Sequence, residues 1–529
     1  MGDVGRLRAR VAIVTAIGLL AIPLLTAAAG LSAAERRGKQ IYAEGKGRKP
    51  ITAVLAGSGL KAPGAAFACA NCHLGEGAGT KEGGVRSADI TFTTLSADRP
   101  GARPSGRAHP PYTEEGLRNA VLGGFDPGGN VLHEAHPRYE IAEADLTDLV
   151  AYLKVLGREP VPGVTEDEVR VAMLLPEQGP LAEAGKSVRG LVAAYFEELN
   201  ARGGLFRRGL RLAPIFYDPA KSEAVAAAVK GPLEAEDAFC FLANLGVPPE
   251  DTALQRLSAA KAPVIAPLLI ATEGGYGTDR TTFHIYASVR DQARVMVDFL
   301  GLELGEKGKR PALLYASDGA GEAGAAGARE QAKAGAQALV AEVSFAAGKL
   351  GAAEAVRRLK AASAGAVLFF GPGADAVALL EEAARQRWRP VFLAPAPMVG
   401  ASLFAASPAP ANAVYLASPV ATPDPASPGM AEFSRLVRAS NVPGEHRSFQ
   451  LMAYAGVKLL EEGLRRAGRD VTRARLMDTL GTLREFPTGV TPPLTYNENR
   501  RVGALGAAIF RLDGDTKRLV PAAPWREPR

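Results

Sequence analysis

The 529-residue chain is 47% hydrophobic and 22% charged, a globular balance with length for roughly two or three domains. Its formal net charge is only +6, and no Lys/Arg run is interleaved with aromatics, which sets nucleic acid aside as a partner. Three cysteines are too few for a disulfide framework.

Residues 1–34 read as an export signal. Arg6, Arg8 and Arg10 precede an apolar stretch from Val11 to Leu25, and Ser32-Ala33-Ala34 offers small residues for cleavage after Ala34. The apolar stretch continues through Leu31, so an uncleaved membrane anchor is the alternative. Either way the bulk of the chain is expected in the periplasm.

Cys69-Ala70-Asn71-Cys72-His73 carries the most specific chemistry. Two cysteines separated by two residues and followed by histidine can bond both vinyl groups of a haem c, with the imidazole on the iron. A zinc site needs a second ligand pair, and the remaining cysteine, Cys240, lies in the apolar run Ala238-Phe-Cys-Phe-Leu242 and reads as a core thiol.

Around this motif the spacing predicts helices from Glu35 to Gly45, from Thr113 as a cap to Gly123, and from about Glu143 to Leu156, the last with Leu146, Leu149, Val150, Leu153 and Leu156 on one face. The Gly- and Pro-rich stretch from Leu74 to Pro111 reads as loop. Residues 35–157 resemble class I cytochromes c, on the haem motif, on His136-Pro137-Arg138-Tyr139 and on the helix ending Tyr152-Leu153. The resemblance implies a small all-α domain with one covalent haem on Cys69 and Cys72, His73 as an iron ligand, and a periplasmic or membrane redox partner.

Relatives usually place methionine before that proline; here it is His136, and no methionine lies between Met1 and Met173. His136 is thus expected as the second axial ligand, with His133, His109 or an open position as alternatives. A second imidazole favours a low-potential electron carrier over a catalyst. Arg86, Arg103, Arg107 and Arg138 are candidates to pair with haem propionates.

Residues 158–168 read as a linker, and from Val169 the pattern changes. Apolar strand-like runs alternate with helical stretches, beginning with Val169–Leu175, Glu183–Asn200 and Leu210–Tyr217, and a second series runs from Asp291 to Ala394. Such alternation means parallel sheets covered by helices on both faces, in two lobes.

Residues 169–520 resemble the type I periplasmic binding proteins, in the branched-chain amino-acid receptor group of ABC transporters; residues 521–529 read as a tail. The resemblance rests on Val171-Ala-Met-Leu-Leu-Pro-Glu-Gln-Gly-Pro180, Glu198-Leu-Asn-Ala-Arg-Gly-Gly204, Pro263-Val-Ile-Ala-Pro267 and Tyr315-Ala-Ser-Asp-Gly-Ala-Gly-Glu322. It implies an α/β two-lobed fold, lobe crossings near Ser288 and Ser418, and hinge closure on a small solute. The expected cleft positions are Val247, Leu268, Leu269, Ala320 and Asp375. Only Asp375 could pair with an amino group, and apolar residues stand where relatives use hydroxyls.

Gly319-Ala-Gly-Glu-Ala-Gly324 fits a dinucleotide fingerprint, but a lone fingerprint is a weak signal and the receptor resemblance accounts for the loop. The combined expectation is a non-enzymatic exported cytochrome for electron transfer or redox sensing, fused to a module that binds a small molecule or docks a partner. The alternative is an ABC-transporter solute receptor, served by a permease, with an appended haem domain.

Overall fold

The computed structural model describes residues 31–529 except 83–84, 99–105, 180, 222, 236, 247–251, 269–279, 306–309, 406–412, 421–423, 444–445, 515 and 517. The export signal expected over residues 1–34 falls outside this range up to position 30. No helix among the described residues is long and apolar enough to cross a membrane. The chain divides into two compact units, Met1–Arg158 and Glu159–Arg529.

The first unit contains α1 (Ala33–Glu44), β1 (Thr52–Leu55), β2 (Lys61–Pro63), α2 (Cys69–His73), β3 (Lys81–Glu82), β4 (Val85–Arg86), α3 (Phe92–Leu95), α4 (Glu114–Leu122), β5 (Pro137–Glu140) and α5 (Glu143–Leu153). Ser32 opens α1 with a capping box: its backbone N–H donates to Glu35 Oε2 at 2.6 Å, and its hydroxyl accepts from Glu35 N at 3.3 Å. Leu31 is buried in the same core, so a cut after Ala34 would remove both cap and anchor. The expected face of α5 is buried throughout, and it packs with Ile41, Tyr42 and Leu117. Helices α1 and α5 meet at Gly38, where a Cβ would lie 2.0 Å from Asp148 O and 2.7 Å from Tyr152 Cβ. Only glycine fits so close an approach.

The all-α expectation for this unit needs correction. Strands β2, β1 and β5 form an antiparallel sheet, with Thr52 opposite Glu140 and Leu55 opposite Pro137. The stretch read as loop also contains the β3–β4 hairpin and α3. These segments have two to four residues, too short to display a period of two.

The second unit begins with β6 (Glu168–Pro176), α6 (Ala182–Ala201), β7 (Gly209–Tyr217), α7 (Ala224–Glu234), β8 (Cys240–Leu242), α8 (Thr252–Ala259), β9 (Val264–Ile265) and β10 (Thr282–Tyr286). It continues with α9 (Val289–Glu303), β11 (Pro311–Ala316), α10 (Gly319–Ala334), β12 (Ala341–Phe345), α11 (Ala352–Ala361), β13 (Ala366–Phe370), α12 (Gly373–Arg385), β14 (Val391–Pro395), α13 (Ala396–Ala405) and β15 (Val414–Ser418). It ends with α14 (Pro428–Ala439), α15 (Arg447–Ala467), α16 (Arg473–Gly481), β16 (Val502–Ala504), β17 (Ala507–Asp513) and β18 (Arg518–Arg526).

Two sheets define two lobes. The first has order β16-β10-β9-β8-β6-β7 and is parallel throughout; the second has order β12-β11-β13-β14-β15-β17-β18, with its last two pairings antiparallel. Strand β13, Ala-Val-Leu-Phe-Phe, is buried at every position, as a central strand covered on both faces must be. Helices α14, α15 and α16 return to the first lobe and share its core with α6 and β6.

The chain crosses between lobes three times. Two crossings fall where the sequence placed them, after Tyr286 and after Ser418. The third joins β16 to β17 through Leu505-Gly506, where a Cβ on Gly506 would lie 2.2 Å from Arg526 O. The supposed tail at 521–529 is largely strand β18, registered so that Arg511 faces Val520 and Phe510 faces Pro521.

Candidate functional site

In the first unit, α2 places Cys69 and Cys72 three residues apart, hence on one side of the helix, with His73 ending it. Both cysteines are free thiols. Burial pushes the Cys69 thiol up to about 11, against an opposing hydrogen bond with Tyr139, whose hydroxyl also donates to Phe67 O at 2.6 Å.

His73 Nδ1 lies 2.8 Å from Ala88 O. That bond keeps the proton on Nδ1 and leaves the Nε2 lone pair for a metal, as a ligating histidine requires. Burial also lowers the His73 pKa, so the ring is held neutral.

His136 precedes β5 and is half-buried. Burial, joined by the nearby His73, Arg138 and Arg107, pushes its pKa down to about 4. The His73 contribution places the two imidazoles in one neighbourhood. Of the alternatives, His133 Nδ1 accepts from Ala135 N at 3.1 Å, and His109 Nδ1 lies 2.8 Å from Pro110 O.

The apolar surface is distributed accordingly. Among the described residues, five of the nine large hydrophobic side chains left exposed belong to this smaller unit: Leu60, Leu74, Leu122, Phe125 and Val131. Leu74 follows His73 directly, and Phe125 pairs with Val131 across the loop leading to His136. Thiols spaced for two vinyl groups, an imidazole with Nε2 left open and exposed apolar side chains fit an iron porphyrin. Of the arginines considered for propionates, Arg103 lies outside the described residues and Arg86 is exposed. Arg107 lies 3.8 Å from the buried Asp126 carboxylate, while Arg138 donates to the carbonyls of His136 and Leu132.

In the second unit the chain leaves the ends of β10, β15 and β16 for the other lobe, and in open α/β sheets solutes bind outside the carboxyl ends of the strands. The order of the first sheet reverses between β6 and β8, and Asn244 sits there. Its Oδ1 accepts from Leu174 N at 3.0 Å and its carbonyl accepts from Leu268 N at 2.8 Å, so one buried residue ties two strand ends together. Sequence reasoning missed Asn244; its place beside an apolar strand was the available signal.

The expected cleft residues separate on inspection. Val247 and Leu269 lie outside the described residues. Leu268 is 1% exposed and belongs to the first lobe's core. A loop leucine reads the same in sequence whether it lines a cleft or fills a core. Ala320 is half-buried in the first turn of α10.

Asp375 is buried, with Oδ2 accepting from Gly348 N at 2.8 Å and Oδ1 from Leu350 N at 3.3 Å. It staples the loop after β12 to α12, and neither oxygen is free of a protein partner. The glycines of the fingerprint-like turn have packing roles: a Cβ at Gly321 would lie 2.1 Å from Ala316 O, and one at Gly324 would lie 2.3 Å from Phe370 Cδ1. Asp318 caps α10 by accepting from Gly321 N at 2.8 Å. Cys240 is buried on β8, its thiol pushed up to about 12 by burial.

The sequence profile of a family described as "Periplasmic binding protein" matches residues 168–517. No curated protein matches the chain. Several solved structures share its fold. A fatty acid ABC transporter substrate-binding protein from Thermomonospora curvata is 18% identical with a TM-score of 0.54, covering 70% of this chain and 95% of its own. A substrate-binding periplasmic protein from Ralstonia solanacearum is 23% identical with a TM-score of 0.51, covering 66% and 99%. A branched-chain amino acid ABC transporter protein from Thermus thermophilus, solved with bound valine, is 16% identical with a TM-score of 0.52, covering 68% and 97%. At these identities the likeness is one of fold.

Proposed function

The chain belongs to the periplasmic binding protein family, and from that membership we propose that it is an exported solute receptor whose lobes close on a small, uncharged, largely apolar molecule, with a c-type haem on its N-terminal unit. The observation that carries the receptor reading is the family match over residues 168–517, which coincides with two sheets joined by three crossings. This match favours the receptor over an electron carrier as the principal role, reversing the order in which the sequence ranked them.

The solute class follows from charge. The strand-end segments 174–179, 242–246, 265–268, 286–288, 316–320 and 370–373 contain no Arg, Lys or His. Burying a carboxylate there without a partner costs several kcal/mol, roughly 2–7 even for a neutral polar group. Asp375, the one acid expected to meet an amino group, already serves two backbone amides. A permease of an ABC transporter is the partner such a receptor serves.

The second reading, a haem on the first unit, rests on the Cys69-Ala-Asn-Cys72-His73 motif, with both thiols free and His73 Nδ1 held by Ala88 O. Bound there, the group supplies one-electron chemistry. Cys69 and Cys72 would hold the group through thioethers to its two vinyl groups. His73, its tautomer held by Ala88 O, would supply one iron ligand, with His136 as the expected second, and the group would then serve electron transfer to a redox partner.

The receptor reading is tested by a thermal-shift panel on the full chain. Uncharged apolar solutes should raise the melting transition of the two-lobed unit, by about 2.7 kcal/mol of stabilisation at a hundredfold excess over Kd. Stabilisation by free amino acids alone would refute the solute class. The haem reading is tested by the spectrum of the ferric protein, where a high-spin form at neutral pH would refute His136 as ligand.

A further inference from the structure

We propose that the second lobe carries a docking surface for an anionic membrane at the end of its sheet opposite the solute-binding strand ends: exposed cations around Trp388 that fit the phosphate headgroups of an acidic phospholipid bilayer. The inference goes beyond the receptor reading and holds for any solute.

Topology assembles the surface. In a parallel sheet the loops that enter the strands gather at the amino ends, away from the carboxyl ends where solutes bind. Strands β11, β13 and β14 are neighbours in the second sheet. Arg310 directly precedes β11, Arg358 and Lys360 lie in the last turn of α11 before β13, and Arg387, Trp388 and Arg389 lie between α12 and β14. Hydrogen bonds join these segments. Arg310 Nε donates to Ser363 O and its Nη2 to Ala362 O, both at 2.9 Å, and Lys360 Nζ donates to Gln386 O at 3.2 Å. Gly365 N donates to Arg310 O at 3.1 Å and Val391 N to Gly365 O at 3.0 Å. In sequence the cations fall in separate stretches, so no basic run marks them.

The charge is one-sided. All five cations are exposed, and segments 358–365 and 386–391 contain no Asp or Glu. Glu354 is paired with Arg357 and Glu382 with Arg385, which leaves Glu381 of α12 against the five. Among the described residues the guanidiniums of Arg358, Arg387 and Arg389 have no protein partner. Cations in a last helical turn complement the helix dipole, which accounts for Arg358 and Lys360 but not for the three arginines in loops. Two of those, Arg310 at φ +68° and Arg387 at φ +52°, hold left-handed backbone that glycine adopts without a Cβ penalty. Arginine is kept there at a conformational cost, which points to its side chain.

Trp388 identifies the partner. It packs against the core on one face of the sheet, is only half-buried, and stands between two unpaired guanidiniums. A ring with an apolar body and a polar N–H suits the headgroup layer of a bilayer, and guanidiniums suit its phosphates. Cations spread over neighbouring loops match an extended anionic plane, and docking by this end leaves the carboxyl ends of the strands open to solute.

The test is binding of the full chain to vesicles of phosphatidylglycerol mixed with phosphatidylcholine, read as quenching of Trp388 fluorescence by brominated acyl chains. The chain has two tryptophans, and Trp525→Phe leaves Trp388 alone; Trp525 Nε1 has no partner, so that change breaks no hydrogen bond. The acidic vesicles should quench Trp388, pure phosphatidylcholine should not, and salt should restore the emission. Arg387→Asn/Arg389→Gln, with asparagine suited to the left-handed position, should weaken binding roughly fivefold per cation, about 25-fold for the pair. Arg358→Gln should weaken it about fivefold and serves if the pair does not fold. No quenching by acidic vesicles, equal quenching by neutral ones, or an affinity unmoved by the charge variants overturns the proposal, and an acidic protein face as the true occupant would give the first of these. Because Trp388 itself is read, an uncleaved N-terminal segment held in the vesicle does not imitate the result. The receptor reading stands or falls separately, on its thermal shifts.

Discussion

Replacing Gly38 by alanine puts a methyl group into the contact between α1 and α5, and the structure says how much that should hurt. The new Cβ would lie 2.0 Å from Asp148 O, 2.7 Å from Asp148 C and 2.7 Å from Tyr152 Cβ. Two of these atoms are backbone of a helix buried on the same face, and Tyr152 is itself fully buried with its ring 5.4 Å from that of Tyr42, so neither side can yield by a rotamer change. Overpacking of this kind costs about 1–3 kcal/mol, and a backbone clash belongs at the upper end. Alanine returns roughly 0.5–1 kcal/mol through better helix propensity. The net expectation is a loss of about 2 kcal/mol, a fall in Tm on the order of 10 °C for a domain of this size. Differential scanning calorimetry of the full chain reads it, with the transition of the two-lobed unit as internal control. An unchanged first-unit transition would refute the close helix crossing.

Four further outcomes follow from the same geometry. Burial pushes the Asp145 carboxyl up, but the Arg48 guanidinium and the amides of Lys49 and Arg48 pull it down further, so its folded pKa lies below the ordinary carboxylate value. Its stabilisation is present above about pH 4 and lost as pH falls through the folded value, and Asp145→Asn should flatten that acid limb in a pH series of melts. Ser288, fully buried where the chain first crosses between lobes, accepts from Asp291 N at 3.1 Å and donates to Asp291 Oδ2 at 2.7 Å; Ser288→Ala should cost roughly 1–2 kcal/mol in chemical denaturation. If the signal is cleaved, the Ser32 capping box and buried Leu31 require a mature N terminus at or before Leu31, and intact mass should show it, whereas a start at Glu35 would contradict the α1 cap. Cys72→Ala should leave a single thioether, read as a shifted reduced-haem band under denaturing conditions, and an unshifted band would exclude Cys72 from attachment.

Long periodic elements were legible from sequence because burial dictates their pattern. The α5 face emerged where expected, as did the Thr113 cap, which accepts from Gly116 N at 3.1 Å, and the fully apolar β13 lies within the second expected series. The sheet formed by β1, β2 and β5 was not legible, since strands of three or four residues pair through long-range contacts that no local window contains. The third crossing was hidden for a related reason: β16 has three residues and is joined to β17 by two. At the haem-type site the side chains could be named from spacing, whereas the Ala88 carbonyl that fixes the His73 tautomer is backbone and leaves no mark in composition. Asp375 was ambiguous in another way. An acid at a helix start reads equally as a ligand contact or as a staple for a neighbouring loop, and only the positions of Gly348 N and Leu350 N distinguish them.

The account as a whole predicts one chain holding two different guests, a reversible solute between the lobes and a covalent group on Cys69 and Cys72. Mass spectrometry of the exported full-length protein, first native and then denaturing, tests this directly. The native spectrum should carry an adduct that vanishes on denaturation, and the denatured spectrum should retain a second adduct that disappears in a Cys69→Ala/Cys72→Ala variant. A bare chain mass in both spectra, after exposure to the solutes that the thermal panel selects, would contradict it.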